Sequence, residues 1–171
     1  MGDKTQILAF TLAARYKAPW SIMAGILVST LLNHALASVF GQWAASHLNP
    51  DLRAIIVAAT FMIFGIWMLK ADRTQNEKVH SRWGPFVTTT VLYFLAEMGD
   101  KTQIATVMLA AKYDSVILVT LGTTLGLLFA DGLAVFFGRK LAHKLQMRWI
   151  RIGSACLFFV FGISTLAVSF L

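Results

Sequence analysis

Hydrophobic residues in this chain run in long blocks rather than alternating with polar ones. Apolar segments cover roughly Trp20–Ala45, Ile55–Leu69, Phe86–Ala111, Val116–Phe137 and Ile150–Phe170, with a shorter one at Ile7–Ala14. A hydrocarbon core of about 30 Å takes about 20 helical residues, and helices satisfy their own backbone groups without water. All segments but the shortest, with their flanks, are therefore predicted to be transmembrane helices. The stretch Lys70–Gly84 breaks the pattern: Asp72, Arg73, Glu77, Lys78, His80 and Arg82 make it a solvated loop. Pro85 follows, and proline suits the first turn of a helix because the N–H it lacks has no partner there.

Composition agrees with this pattern. Hydrophobic residues make up 57% of the 171 residues, charged ones only 13%, and mean hydropathy is +0.68. Soluble domains carry about 45–50% apolar and about 25% charged residues. A net charge of +7 raises the question of nucleic acid. Nucleic-acid binders gather their basic residues on a soluble face, whereas here they sit between apolar runs. Topology explains them better. Lys and Arg counted in alternate loops number eleven near residues 17, 77 and 144, against two, Arg53 and Lys112, on the other side. The positive-inside rule then predicts a multi-pass protein of the inner (plasma) membrane, with those three loops cytoplasmic and both termini outside. The single cysteine, Cys156, lies in an apolar stretch and supports neither a disulfide framework nor a thiol metal site. The opening residues lack the basic, apolar and small-residue sequence of a cleavable signal.

The chain also repeats itself. A shift of 97 residues aligns Met1 with Met98 through Leu69 with Leu166 without a gap, and 26 of these 69 pairs are identical. MGDKTQI recurs whole, Leu36-Ala37 matches Leu133-Ala134, and Phe64-Gly65-Ile66 matches Phe161-Gly162-Ile163. Each copy holds three spans, an odd number, so the second must insert upside down. The predicted fold is an all-α integral membrane protein of six-span design, built as two inverted three-helix repeats, an architecture of transporters. The first repeat covers residues 1–69, a cytoplasmic loop 70–84, and the second repeat 85–171. The counterpart of Glu97 falls immediately before Met1, and the equivalent of Pro85–Ala96 is missing too. The first span is thus expected to be truncated at its N-terminal half in this chain, with the natural start upstream.

Taken as one helix, Phe86–Ala111 puts Glu97 and Asp100 near mid-membrane, and at 100° per residue Glu97, Asp100 and Lys101 share a face. Charges at that depth cost at least a few kcal/mol each and usually line a polar pathway. A Glu97–Lys101 pair four residues apart would neutralise two charges but not Asp100. Two carboxylates beside amide and hydroxyl oxygens suit a hard divalent cation. Inversion would set Asp3, Thr5 and Gln6 opposite Glu97, Asp100, Thr102 and Gln103, with Lys4 and Lys101 tuning the charge. Such a site also exchanges protons for metal, because its ligands must be deprotonated to bind. Asn33-His34 aligns with Ala130-Asp131. Asp131, with Thr124 on its face, is a candidate proton-path or supporting residue. Asn33 brings a supporting amide, and His34 reads more simply as a hydrogen-bonded core residue. Trp20, Trp43, Trp83 and Trp149 fall at span ends, as an interfacial belt would. Gly122 to Gly126 (GTTLG) is a small-residue pattern expected to serve close helix packing. No nucleophile–base pair, phosphate loop or zinc spacing is present, so no enzyme and no resident cofactor are expected.

A duplicated E-x-G-D-K/R-T/S motif in a six-span chain resembles the transmembrane protein 165 family, also called uncharacterised protein family 0016. The similarity covers essentially the whole chain: the motif, the basic loops, NHALA at 33–37 and AEMGDKTQIAT at 96–106. The family's motif falls on Glu97, Gly99, Asp100, Lys101 and Thr102, and in the first repeat on Gly2, Asp3, Lys4 and Thr5. The resemblance implies exchange of Ca²⁺ or Mn²⁺ for protons, with the acidic residues of each motif binding the cation. The expected function is therefore a secondary transporter moving a divalent cation, Mn²⁺ first and Ca²⁺ next, against protons and out of the cytoplasm. Its expected partners are the cation, protons and the bilayer, with room for a homo-oligomer and none for nucleic acid. A passive divalent-cation channel and a non-transporting membrane scaffold or assembly protein remain the alternatives.

Overall fold

A computed structural model describes residues 4–69, 83–141 and 147–170, with side chains described except at Lys4, residues 138–151 and Phe170. The charged loop at 70–82 and the one at 142–146 lie outside the described residues. The described chain forms α1 (Lys4–Tyr16), α2 (Pro19–Ser46), α3 (Pro50–Leu69), α4 (Pro85–Glu97), α5 (Lys101–Tyr113), α6 (Val116–Leu141) and α7 (Met147–Phe170). Proline opens α2, α3 and α4, and Gly84 precedes α4 in extended backbone, as Pro85 led us to expect. Among the described residues, four stretches are long and apolar enough to cross a membrane: Pro19–Ser46, Pro50–Leu69, Val116–Phe137 and Ile152–Ser169. The protein is an all-α membrane protein.

The segment Phe86–Ala111 is not one helix. α4 stops at Glu97 and α5 starts at Lys101, with Met98, Gly99 and Asp100 between them. Met98 still donates to Phe94 O, but Gly99 takes φ +74° and Asp100 N–H turns back to Glu97 O. A left-handed residue carries the chain out of the helical ladder, and glycine does so at no steric cost. Each half has 13 residues, about 20 Å at 1.5 Å per residue, too short to span alone. The shared face of Glu97, Asp100 and Lys101 expected from a continuous helix therefore does not exist, nor does a Glu97–Lys101 pair along one helix.

Helix boundaries follow the duplication. α1, α2 and α3 begin at residues 4, 19 and 50, and α5, α6 and α7 begin 97 residues later in each case. α1 and α5 end alike: Lys17 has φ 50° and Asp114 φ 51°, and their N–H groups donate to Ala13 O and Ala110 O. The same left-handed exit is thus made by two unlike residues.

α3 packs on α7 through rings. Centroids of Phe61 lie 5.9 Å from those of both Phe158 and Phe161, and Phe64 lies 6.2 Å from Phe158. Under the 97-residue shift Phe61 becomes Phe158 and Phe64 becomes Phe161, so the last two pairs are one contact made twice. Likewise Gly65 sits under the Phe159 ring, while Gly162 sits against Met62, the counterpart of Phe159. Residue numbers rise on one helix as they fall on the other, so α3 and α7 are antiparallel.

α2 is the hub, packing against α1, α4, α5 and α6. Glycine lets the broken helix approach: a Cβ on Gly25 would stand 2.8 Å from Thr89 Cβ of α4, and one on Gly41 would strike the Val107 carbonyl of α5. Asn33 meets Phe94 between these points, so α2 runs parallel to α4 and α5. α6 lies antiparallel to α2, for Thr120 Oγ1 donates to His34 O and Gly132 packs on Met23. This corrects the packing expected of Gly122 and Gly126. Both are exposed, with nothing within 4 Å of an added Cβ. They sit about 200° around the helix from Thr120 and Thr124, which face α2. Trp20, Trp43 and Trp83 are all more than half exposed, as an interfacial belt requires.

Candidate functional site

The helix break gathers the second motif. Glu97 ends α4 fully buried, and its Oε2 accepts from Thr102 Oγ1 at 2.7 Å across the break. Thr106 Oγ1 donates to Thr102 O at 2.8 Å, and Gly99 N–H donates to Gln103 Oε1 at 2.6 Å. Asp100 is the N-cap of α5 in extended backbone, yet its side chain makes no capping bond to the helix start. Lys101 is buried with Nζ 4.9 Å from the ring centroid of Trp67 on α3. Carbonyls at the end of α4 and N–H groups at the start of α5 converge here, bringing the negative and positive ends of two short dipoles together. Broken transmembrane helices build ion sites in this way, because irregular backbone at membrane depth needs polar partners.

Neighbouring helices complete the surroundings. Asn33 Nδ2 on α2 donates to Phe94 O at 3.0 Å, a carbonyl that also accepts from Met98 N–H in the last turn of α4. Tyr93 donates to Thr5 O on α1 at 2.6 Å, and Gln6 Nε2 reaches Ala130 O on α6 at 3.5 Å. Asp131 is fully buried on α6. Of the predicted residues, Glu97, Asp100, Lys101, Thr102 and Gln103 come together at the break, with Asn33 one carbonyl away. Thr5 and Gln6 are tied to α4 and α6 instead. Asp3 and the side chain of Lys4 lie outside the described residues. Among the described residues, no group of three or more His, Cys, Asp or Glu could hold a metal ion. A cation at Glu97 and Asp100 would therefore draw its other oxygens from hydroxyl, amide or backbone groups and water.

Two features escaped the sequence reading. One is Trp67, whose approach to Lys101 joins residues far apart in the chain. The other is a line of side chains on α2: Thr30, His34 and Ser38, each four residues from the next and all buried. Thr30 Oγ1, both nitrogens of His34, Ser38 Oγ and Thr124 Oγ1 on α6 have no hydrogen-bond partner among the described residues. His34 is thus buried but not the hydrogen-bonded core residue expected. A dry, unpaired polar atom costs about 1–3 kcal/mol. Spacing of four along α2 was the available signal.

Residues 1–76 and 85–170 match the family described as "Divalent cation/proton antiporter GDT1". A Vibrio cholerae protein named "Putative manganese exporter" is 42% identical over 166 residues, 96% of this chain and 83% of its own. The Arabidopsis thaliana GDT1-like protein 5 is 28% identical over 97% of this chain and 89% of its own. A GDT1-like protein of Synechocystis is 27% identical over 95% and 88%. No solved structure matches. The family is one of transporters rather than enzymes, which agrees with a buried acidic helix break and the resemblance seen in its motif. This chain belongs to the GDT1 family of divalent cation/proton antiporters.

Proposed function

We propose that the chain exchanges Mn²⁺, and Ca²⁺ next, for protons, with Glu97 and Asp100 binding the cation at the break between α4 and α5 and Asp3 joining them. The observation that carries this reading is the buried Glu97 carboxyl at the carbonyl end of a short helix, held by Thr102. Carboxylate oxygens and freed carbonyls attract a hard cation. Proton and metal compete for the same carboxyl oxygens, so loading one releases the other. Thr102 orients Glu97 and Gln103 braces the Gly99 turn, while Lys101 adjusts the local charge from its seat on Trp67. Manganese is favoured because the Vibrio cholerae relative is named for it, and the same name favours export from the cytoplasm.

The architecture behind this reading is a six-span design of two inverted repeats in the inner membrane, with loops near 17, 77 and 144 cytoplasmic. Reciprocal contacts between antiparallel α3 and α7 support it, since a two-fold axis across antiparallel spans lies in the membrane plane. The test is Mn²⁺ flux in proteoliposomes under an imposed pH gradient, with lumenal pH followed at the same time. Wild type should couple the two, and Glu97→Gln and Asp100→Asn should abolish the coupled flux. If both variants transport like wild type, the site assignment fails. Flux that ignores the pH gradient and moves no protons would mark a passive channel.

A further inference from the structure

A polar seam lies between α2 and α6, beside the proposed cation site. At 100° per residue, Thr30, His34 and Ser38 fall in a strip roughly 80° wide with Met23 and Gly41. Met23 meets Gly132 of α6 and Gly41 meets Val107 of α5, so the strip looks toward those helices. On α6, Thr120, Thr124 and Asp131 lie within about 40° of one another, and all three are buried. Thr120 meets His34, and Gly132 meets Met23. Counted from these contacts, Thr124 comes level with Thr30 and Asp131 lies about 10 Å further along. In the other direction Ser38 reaches the depth of the motif, because Asn33 meets Phe94 and Gly41 meets Val107.

The hydroxyls in this seam behave unlike others in the protein. Ser29, Thr89, Thr90 and Thr106 donate to a carbonyl three or four residues back on their own helix. Thr30, Ser38 and Thr124 do not, and neither ring nitrogen of His34 has a partner among the described residues. His34 and Asp131 are counterparts in the repeat, but the hydroxyls around them are not duplicated. The counterparts of Thr30 and Ser38 are Leu127 and Val135, and those of Thr120 and Thr124 are Met23 and Leu27. Polar atoms kept unpaired at membrane depth on two facing helices call for ordered water.

We infer that the α2–α6 seam is a hydrated proton route, relayed by His34, joining the cation site to the membrane face where α1 ends and α4 begins. The inference rests on the exchange reading above and adds a path for the proton that the cation does not take. A neutral imidazole accepts a proton from water on one ring nitrogen and releases one from the other. The ring thus returns neutral with its tautomer exchanged, ready to reset by a flip. Hydroxyls and water pass protons, whereas a hard divalent cation needs several anionic oxygens, and the seam has one carboxyl, Asp131, at its far end. Four helices pack against α2. Among the described side chains, their charged groups near the seam are Glu97 on α4, Asp100 and Lys101 at the start of α5, and Asp131 on α6. Lys112 and Arg15 stand in the last turns of α5 and α1.

The test uses the full chain. Mn²⁺ binding is measured on detergent-purified protein at fixed pH, and Mn²⁺ flux with lumenal pH in proteoliposomes. His34→Gln and the paired isosteric variant Thr30→Val/Thr124→Val should bind Mn²⁺ as wild type does. Their coupled exchange should fall by about tenfold or more, the scale of a lost proton-transfer group. Exchange at the wild-type rate in both variants overturns the route. Loss of Mn²⁺ binding in parallel with exchange also overturns it, placing His34 in the cation site. If His34→Gln does not fold, the threonine pair decides. A wild-type chain that moves Mn²⁺ without protons overturns the exchange reading. Independently, an experimental map resolving waters should show them bridging Thr30, His34 and Thr124, and a dry seam overturns the inference.

Discussion

Gly99 holds a φ of +74° between a buried glutamate and the first turn of α5. A Cβ there would meet open space, so the constraint is conformational rather than steric. Gly99→Ala forces an L residue into left-handed backbone at about 1–2 kcal/mol. Thermal unfolding should show a lower midpoint and flux should drop, with Gly99→Asn milder than Gly99→Ala because asparagine tolerates this region. Thr102 is a second residue whose role lies in one bond, its 2.7 Å donation to Glu97 Oε2. Thr102→Val keeps the shape and removes the donor. Titration with Mn²⁺ should show affinity reduced about 10–100-fold, the usual cost of losing a partner that orients a metal ligand, with Thr102→Ser close to wild type. Equal affinity in Thr102→Val would mean that the hydroxyl does not position a ligand.

At the scale of elements, the broken helix matters because α2 runs beside both halves. Gly25 admits α4 and Gly41 admits α5, each leaving no room for a side chain. Gly41→Leu should push α5 off α2 and separate Thr102 from Glu97. Cysteine cross-linking between α2 and α5 should then weaken, and transport should be lost even though no polar group is changed. The outward glycines of α6 give the contrast: Gly122→Leu should leave both readouts near wild type, since nothing lies within 4 Å. A similar loss in both variants would refute the packing account. The sequence pointed to Gly122 and Gly126 for packing, and only the helix partners show Gly25 and Gly41 in that role.

Across the whole molecule, α3 and α7 join the two halves through four phenylalanines. Phe61 touches both Phe158 and Phe161, so Phe61→Ala should destabilise by on the order of 2 kcal/mol, less than in a soluble core because lipid stands outside. Phe61→Ala and Phe158→Ala share contacts, so the double variant should cost less than the two together. Strict additivity in thermal unfolding would refute the shared contact. Function at this scale is read through pH. Protons compete with Mn²⁺ for Glu97 and Asp100, so apparent Mn²⁺ affinity should fall as pH is lowered, and Glu97→Gln should flatten that dependence. An unchanged slope would remove Glu97 from the exchange.

Much of this was legible in the chain itself. The apolar blocks, the 97-residue repeat and the acidic motif follow from composition and register, and the bilayer allows few other structures for them. Glu97 and Asp100 stood out because a charge inside an apolar block needs a reason. The break between them was not legible, because a single glycine in a helical pattern is ordinarily tolerated. Asn33 of α2 reaches the Phe94 carbonyl beside the break, a contact between residues 61 apart in the chain. Trp67 meets Lys101 only because α3 packs on α5. The orphaned hydroxyls of the seam likewise follow from which face α2 turns to α6. Local sequence therefore fixed that this protein enters the membrane, in what order, and with which charged residues. Where its helix breaks and which polar groups meet were decided by packing, because those outcomes depend on partners brought together only in the folded chain.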